Sequence, residues 1–93
     1  MIEELVSRVF ALRNAVHLAH WATKSYSEHK ALGHFYDDLI DNIDDIIEAY
    51  QGWFGPIGEV PARILSKKDI ASVVREEMNW LGNNRERVAK KNT

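Results

Sequence analysis

The stretch Leu32-Gly33-His34-Phe35-Tyr36-Asp37-Asp38-Leu39-Ile40-Asp41-Asn42-Ile43-Asp44-Asp45-Ile46-Ile47-Glu48-Ala49-Tyr50-Gln51-Gly52 decides the fold class. Within it Leu32, Tyr36, Leu39, Ile43, Ile46 or Ile47, and Tyr50 recur at spacings of three and four, which puts them on one stripe of a helix. Upstream, Ser25-x-x-Glu28 is a capping-box pattern, and downstream Gly52 suits the left-handed position just past a helix end. A helix over about 26–51 follows, roughly 37 Å long.

Before it, Leu5, Val9, Leu12, Val16 and Ala19 mark a first amphipathic helix over about 2–24. The polar interruption from Thr23 to Ser27 stops that helix, and a connection this short makes the two helices antiparallel neighbours. After it, Gly55-Pro56, Gly58 and Pro61 break any helix and predict a crossover loop over 53–66. Such a loop is long enough to run along a bundle, so a third helix over 67–88 lies either parallel or antiparallel to the second. Its expected N-cap is Ser66, with Asp69 at the N3 position, and its stripe is Ile70, Val73, Val74, Met78 and Leu81. Beyond Leu81 the residues Gly82 to Thr93 offer only Val88 and Ala89 as apolar matter and read as a frayed or solvent-facing extension. The fold class is all-α: an antiparallel hairpin plus a third helix, an incomplete four-helix bundle in a single domain over 1–93. Its open side is expected to be closed by another copy in a dimer or larger homo-oligomer.

Composition agrees. At 93 residues, 45% hydrophobic and 28% charged, the chain is one small domain with enough apolar matter to fold. Small domains are marginal without further support, and with no Cys that support falls to a metal or a subunit contact. The acidic start Met1-Ile2-Glu3-Glu4 is not a signal peptide, and no apolar run approaches the ~18 residues of a membrane span, so a cytoplasmic protein without a membrane role is expected. The net charge of −2 argues against nucleic acid as a partner. The distribution is uneven: Glu28 to Glu48 hold seven acids against one Lys, and Arg85 to Thr93 hold four bases against one acid.

The four His fall at the facing ends of the first two helices: His17 and His20, then His29 and His34. Down the second helix His34, Asp37, Asp41, Asp44 and Glu48 form one line, in which like charges repel by a few tenths of a kcal/mol per pair. Imidazoles and carboxylates converging on helix faces are a ligand set for iron, manganese or zinc, whose charge would remove that repulsion. The competing reading is a solvated acidic face with ordinary surface and capping histidines. Phe10, Phe35, Tyr36, Tyr50 and Trp80 read as core, whereas Trp53 and Phe54 beside Gly-Pro read as the cover of an oligomer contact.

The run from His17-Leu18-Ala19-His20-Trp21 through His29 to Asp44-x-x-x-Glu48 resembles the ferritin-like proteins. It looks most like their Dps (starvation-protection) branch and small ferritin-like proteins of tailed phages. The resemblance implies a His-Trp pair ending the first helix, a second His early in the next, and an Asp-x-x-x-Glu farther down. It implies metal ligation by His20, His29, Asp44 and Glu48 from the same or a facing subunit, with His17, His34, Asp37 and Asp41 as further candidates. Gly33 departs from the family, which carries an Asp one turn after its second His. The function expected is a small phage-encoded, ferritin-like (Dps-like) oligomer that holds iron, manganese or zinc between helices, with Fe(II) oxidation an activity the resemblance allows but does not favour. The alternative is a non-enzymatic phage interaction protein that binds a host protein or sequesters a small nucleotide. For that role Trp21, Lys24, Trp53 and Phe54 are the interface residues, and Lys24, Lys30 and Arg63 are available for phosphates.

Overall fold

A computed structural model describes residues 1–65 and 69–89, which form three α-helices and no strands. They are α1 (Ile2–Ala22), α2 (Tyr26–Phe54) and α3 (Ile70–Ala89). The molecule measures 46 × 21 × 21 Å, close to the ~43 Å that the 29 residues of α2 span alone.

Direction is set by which ends share a core. Ile2, Leu5 and Val6 at the start of α1 bury with Ile43 of α2 and Val88 of α3, while Ile47, Tyr50, Trp80 and Leu81 pack around them. Leu12 and Val16 toward the other end of α1 bury with Val73, surrounded by Leu32, Phe35, Tyr36, Leu39, Ile70 and Val74. Hence α2 and α3 both run antiparallel to α1 and parallel to each other. The parallel arrangement requires the long connection, which passes back along α1. Gly58 N–H donates to the Glu3 carboxylate (2.8 Å) and Ser7 Oγ donates to the Pro61 carbonyl (2.6 Å). Ile57 and Val60 join the first core cluster, and Leu65 joins the second.

Several boundaries differ from expectation for local reasons. Ser25 caps α2 as predicted, accepting from Glu28 N–H at 3.3 Å, but Ser25 N–H donates to Thr23 Oγ1 instead of completing a capping box. α2 does not stop at Gly52. It continues to Phe54 and ends where Gly55 takes φ 87°, a conformation that favours glycine, with its N–H donated to the Gln51 carbonyl. Trp53 and Phe54 therefore belong to the last turn of the helix, not to the loop. At the start of α3 the cap is Asp69, whose carboxylate accepts from Ser72 N–H at 3.2 Å. Ser66, the expected cap, lies outside the described residues.

The C-terminal extension is helical through Ala89, and Val88 is buried. Val88 stands seven residues after Leu81 and so continues the same stripe, and a single apolar side chain is enough when a core cluster receives it. On α2 the ambiguity between Ile46 and Ile47 resolves in favour of Ile47, which packs on the core. On α3 the expected core residue Met78 is exposed, and Glu77 is buried in its place. Arg8 explains this: its Nη1 donates to both Glu77 oxygens (3.1 and 3.2 Å), and its guanidinium lies 4.4 Å from the Trp80 ring centre.

Candidate functional site

The hairpin between α1 and α2 does bring three of the four histidines together. His20 Nδ1 and the His29 carbonyl are hydrogen-bonded, and His29 Nδ1 is bonded to the His20 carbonyl at 2.7 Å. A carbonyl has no proton to give, so each Nδ1 carries the hydrogen and each Nε2 is left as the free nitrogen. The two rings stack with centres 3.7 Å apart and planes 18° apart. This reciprocal clasp ties the last turn of α1 to the first turn of α2. Gly33 is part of it: a Cβ there would lie 3.0 Å from Cε1 and 3.2 Å from Nδ1 of His20. The position at which the ferritin-like pattern carries an Asp is thus occupied by the His20 ring itself.

His17 sits one turn back on α1 and stacks on Tyr36 (4.1 Å, 16°), with Trp21 at 4.4 Å on another side. Tyr36 also receives the edge of His20 and, 5.2 Å from its centre, the Arg13 guanidinium. Partial burial, together with the positive charge of Arg13 and then of His20, holds the His17 imidazole below its usual pKa, against an opposing pull from Asp37.

The remaining predicted ligands are elsewhere. His34, Asp37, Asp41, Asp44 and Glu48 are all exposed along α2. Asp44 is fifteen residues past His29, which at 1.5 Å per residue is about 22 Å farther along the axis. Among the described residues no group of three or more His, Asp or Glu side chains is placed to hold a metal ion. Within one chain, therefore, His20 and His29 do not meet Asp44 and Glu48.

What the fold does assemble beside the histidines is a pocket of about 550 Å³ along the second half of α1. Arg13, Asn14, His17, Leu18 and Trp21 line it from the helix, and Arg63, Ile64 and Leu65 line it from the crossover loop. Its lining contains two guanidinium groups and no carboxylate. Among the described residues neither Arg13 nor Arg63 has an ion-pair partner. Three bulky apolar side chains stand open around it: Leu18 is 61%, Trp21 67% and Ile64 95% exposed. Of these residues, sequence reading picked out His17, Trp21 and Arg63 as functional and missed Arg13, Asn14, Leu18 and Ile64. The signal available was helical spacing, since Asn14, Leu18 and Trp21 fall at i, i+4 and i+7, and Arg13 is one turn before His17. Lys24 is exposed past the end of α1, Lys30 lies 6.0 Å from the Tyr26 ring centre, and Trp53 is 84% exposed at the far end of α2.

The molecule is thus a small all-α protein with a cationic, aromatic-edged pocket between its central helix and its crossover. The chain belongs to the family of unknown function DUF5856, whose pattern matches residues 20–93. It is also similar to an uncharacterized 14.6 kDa protein of the mobD-ri intergenic region of Enterobacteria phage T4, with 38% identity over 53 residues. That match covers 57% of this chain and 41% of the relative, so the chain spans less than half of the phage protein's length. The relative's origin supports a phage protein. No solved structure matches the chain. Among the described residues no helix is long and apolar enough to cross a membrane.

Proposed function

We propose that this is a non-enzymatic phage binding protein that sequesters a small nucleotide in the pocket between α1 and the crossover loop. The observation that carries this reading is the pairing of two guanidinium groups, Arg13 and Arg63, that have no carboxylate partner among the described residues, with exposed apolar and aromatic surface in one concavity. A phosphate takes up fork-shaped guanidinium donors, and a base has a flat face for Trp21. A volume of about 550 Å³ is in the range of small-ligand sites. No nucleophile with an adjacent base lines the pocket, which favours holding a ligand over transforming it. Calorimetric titration with purine mononucleotides and with linear and cyclic dinucleotides tests the proposal. Saturable binding that Arg13→Ala and Arg63→Ala each weaken at least tenfold supports it, and absence of heat with every nucleotide from a folded sample removes it.

A second reading keeps the metal. Histidines that ligate metal through Nε2 characteristically donate Nδ1–H to a carbonyl or carboxylate, and both His20 and His29 have that arrangement. In a ferritin-like, Dps-like homo-oligomer, carboxylates from a facing copy, Asp44 and Glu48, would complete a site for iron, manganese or zinc. Fe(II) or Zn(II) binding that the Asp44→Asn, Glu48→Gln double variant abolishes supports this reading. Binding unchanged in that variant excludes the two carboxylates.

A further inference from the structure

A second concavity lies between α2 and α3 and shares no lining residue with the cationic pocket. α1 packs against both other helices, whereas α2 and α3 barely touch, so a slot opens between them over α1. Its floor is Leu5, Val9 and Leu12, and its walls include Leu39, Ile43 and Ile46 on one side and Met78 and Leu81 on the other. The slot encloses about 440 Å³, and Ile46 and Met78 at its lips are each close to half exposed. Floor and α2 wall each advance seven residues, about 10 Å or two helical turns. Two turns is the length over which a helix presents side chains at i, i+4 and i+7 to an apolar groove.

Charge selects the occupant. Arg8 and Glu77 neutralise each other at 3.1 Å, which leaves Asp45 as the uncompensated charge of the lining. Around Asp45, α2 carries Asp37, Asp38, Asp41, Asp44 and Glu48 with no Lys or Arg from 31 to 54. Among the described residues no ion pair reaches any of these acids. A second copy seated slot to slot would bring two such acidic helices together, which like-charge repulsion opposes. We infer that the slot docks an amphipathic helix of a partner protein, whose apolar stripe is flanked by Lys or Arg facing Asp45. The inference is independent of the nucleotide proposal, because the two sites use different residues.

Two synthetic 14-residue helical peptides serve as probes, sharing one Leu stripe and flanked by Lys in one and Glu in the other. Titration into the intact protein is expected to show saturable binding of the Lys peptide and at least tenfold weaker binding of the Glu peptide. Ile46→Asp, at an exposed lip, should abolish binding while circular dichroism stays helical. Asp45→Lys should reverse the charge preference, and Asp44→Lys, outside the slot, should not. Failure of the wild-type protein to bind the Lys peptide overturns the inference, as does equal loss in Asp44→Lys, which would mean bulk attraction only. A dimer in sedimentation that Ile46→Asp dissolves would assign the slot to a second copy and overturn it as well.

Discussion

The two halves of α1 are built for different purposes. From Ile2 to Leu12 the helix is mostly buried against α2, α3 and the crossover loop, save at Phe10, expected in the core but 46% exposed, and its polar contacts are fixed: Glu3 to Gly58, Ser7 to Pro61, Arg8 to Glu77. From Arg13 to Ala22 it carries imidazoles, a guanidinium and an exposed indole, and only Val16 is fully buried. The first half spends its side chains on holding three helices together, whereas the second leaves donors, charge and aromatic surface facing outward. That division places stability and ligand chemistry on one continuous helix, separated by about one turn.

The largest expected effect strikes the first half. Leu12→Ala deletes a buried side chain at the centre of the second core cluster and should cost about 2–5 kcal/mol in denaturant unfolding. If the halves are independent, nucleotide affinity measured below the melting point stays unchanged, and a parallel loss of affinity breaks the comparison. Next is Glu77→Ala, which leaves the partly buried Arg8 with only the Glu4 carboxylate, 3.6 Å from its Nε. Because the Arg8 side chain keeps some access to water, the expected cost is about 1.5–3 kcal/mol rather than that of a fully buried pair.

In the second half, Gly33→Asp should push the His20 ring off its position and break the reciprocal bonds with His29. Loss of one or both bonds costs about 1–3 kcal/mol, visible as a lowered melting midpoint. Unchanged stability would show that the clasp contributes nothing. Gly33→Ala is a milder probe: the crowding at His20 is offset by about 1 kcal/mol of better helix propensity.

The smallest effects are in pH dependence, and they separate the halves. His17 is held below its usual 6.5, so the unfolded chain binds more protons just below that pH and stability falls as pH drops through this window. Glu3 is held below 4.5, first by the Gly58 N–H and then by its own backbone N–H, so its contribution is present above pH 4.5 and disappears as pH falls through the lower folded value. His17→Gln should erase the upper window alone and Glu3→Gln the lower alone. Urea melts across pH 3–8 check both.

A phage protein was only what the family resemblance implied, whereas an all-α hairpin with a third helix was legible from residues, because helical periodicity at Leu32, Tyr36, Leu39 and Ile43 is a local property that needs no partner to declare itself. The capping role of Ser25 was legible for the same reason. The burial of Glu77 was not, because it depends on Arg8, sixty-nine residues away. The convergence of all four histidines at one end was predicted from the short turn, and three of them meet while His34 stays exposed; the stacking and mutual carbonyl bonds of His20 and His29 depend on the absent side chain at Gly33. The resemblance implied a ligand set of His20 and His29 with Asp44 and Glu48 drawn from the same or a facing subunit, and within one chain the length of α2 keeps the two pairs apart.

The sequence by itself thus determined the elements, the antiparallel pairing of α1 with α2 and the acidic character of α2, since these follow from periodicity, caps and charge within a few residues. Only the tertiary structure decided that α3 runs parallel to α2, that the crossover brings Arg63 beside Arg13, and that a slot stays open between α2 and α3. Those are relations between residues distant in the chain, and they are fixed by which apolar faces bury one another rather than by any local preference.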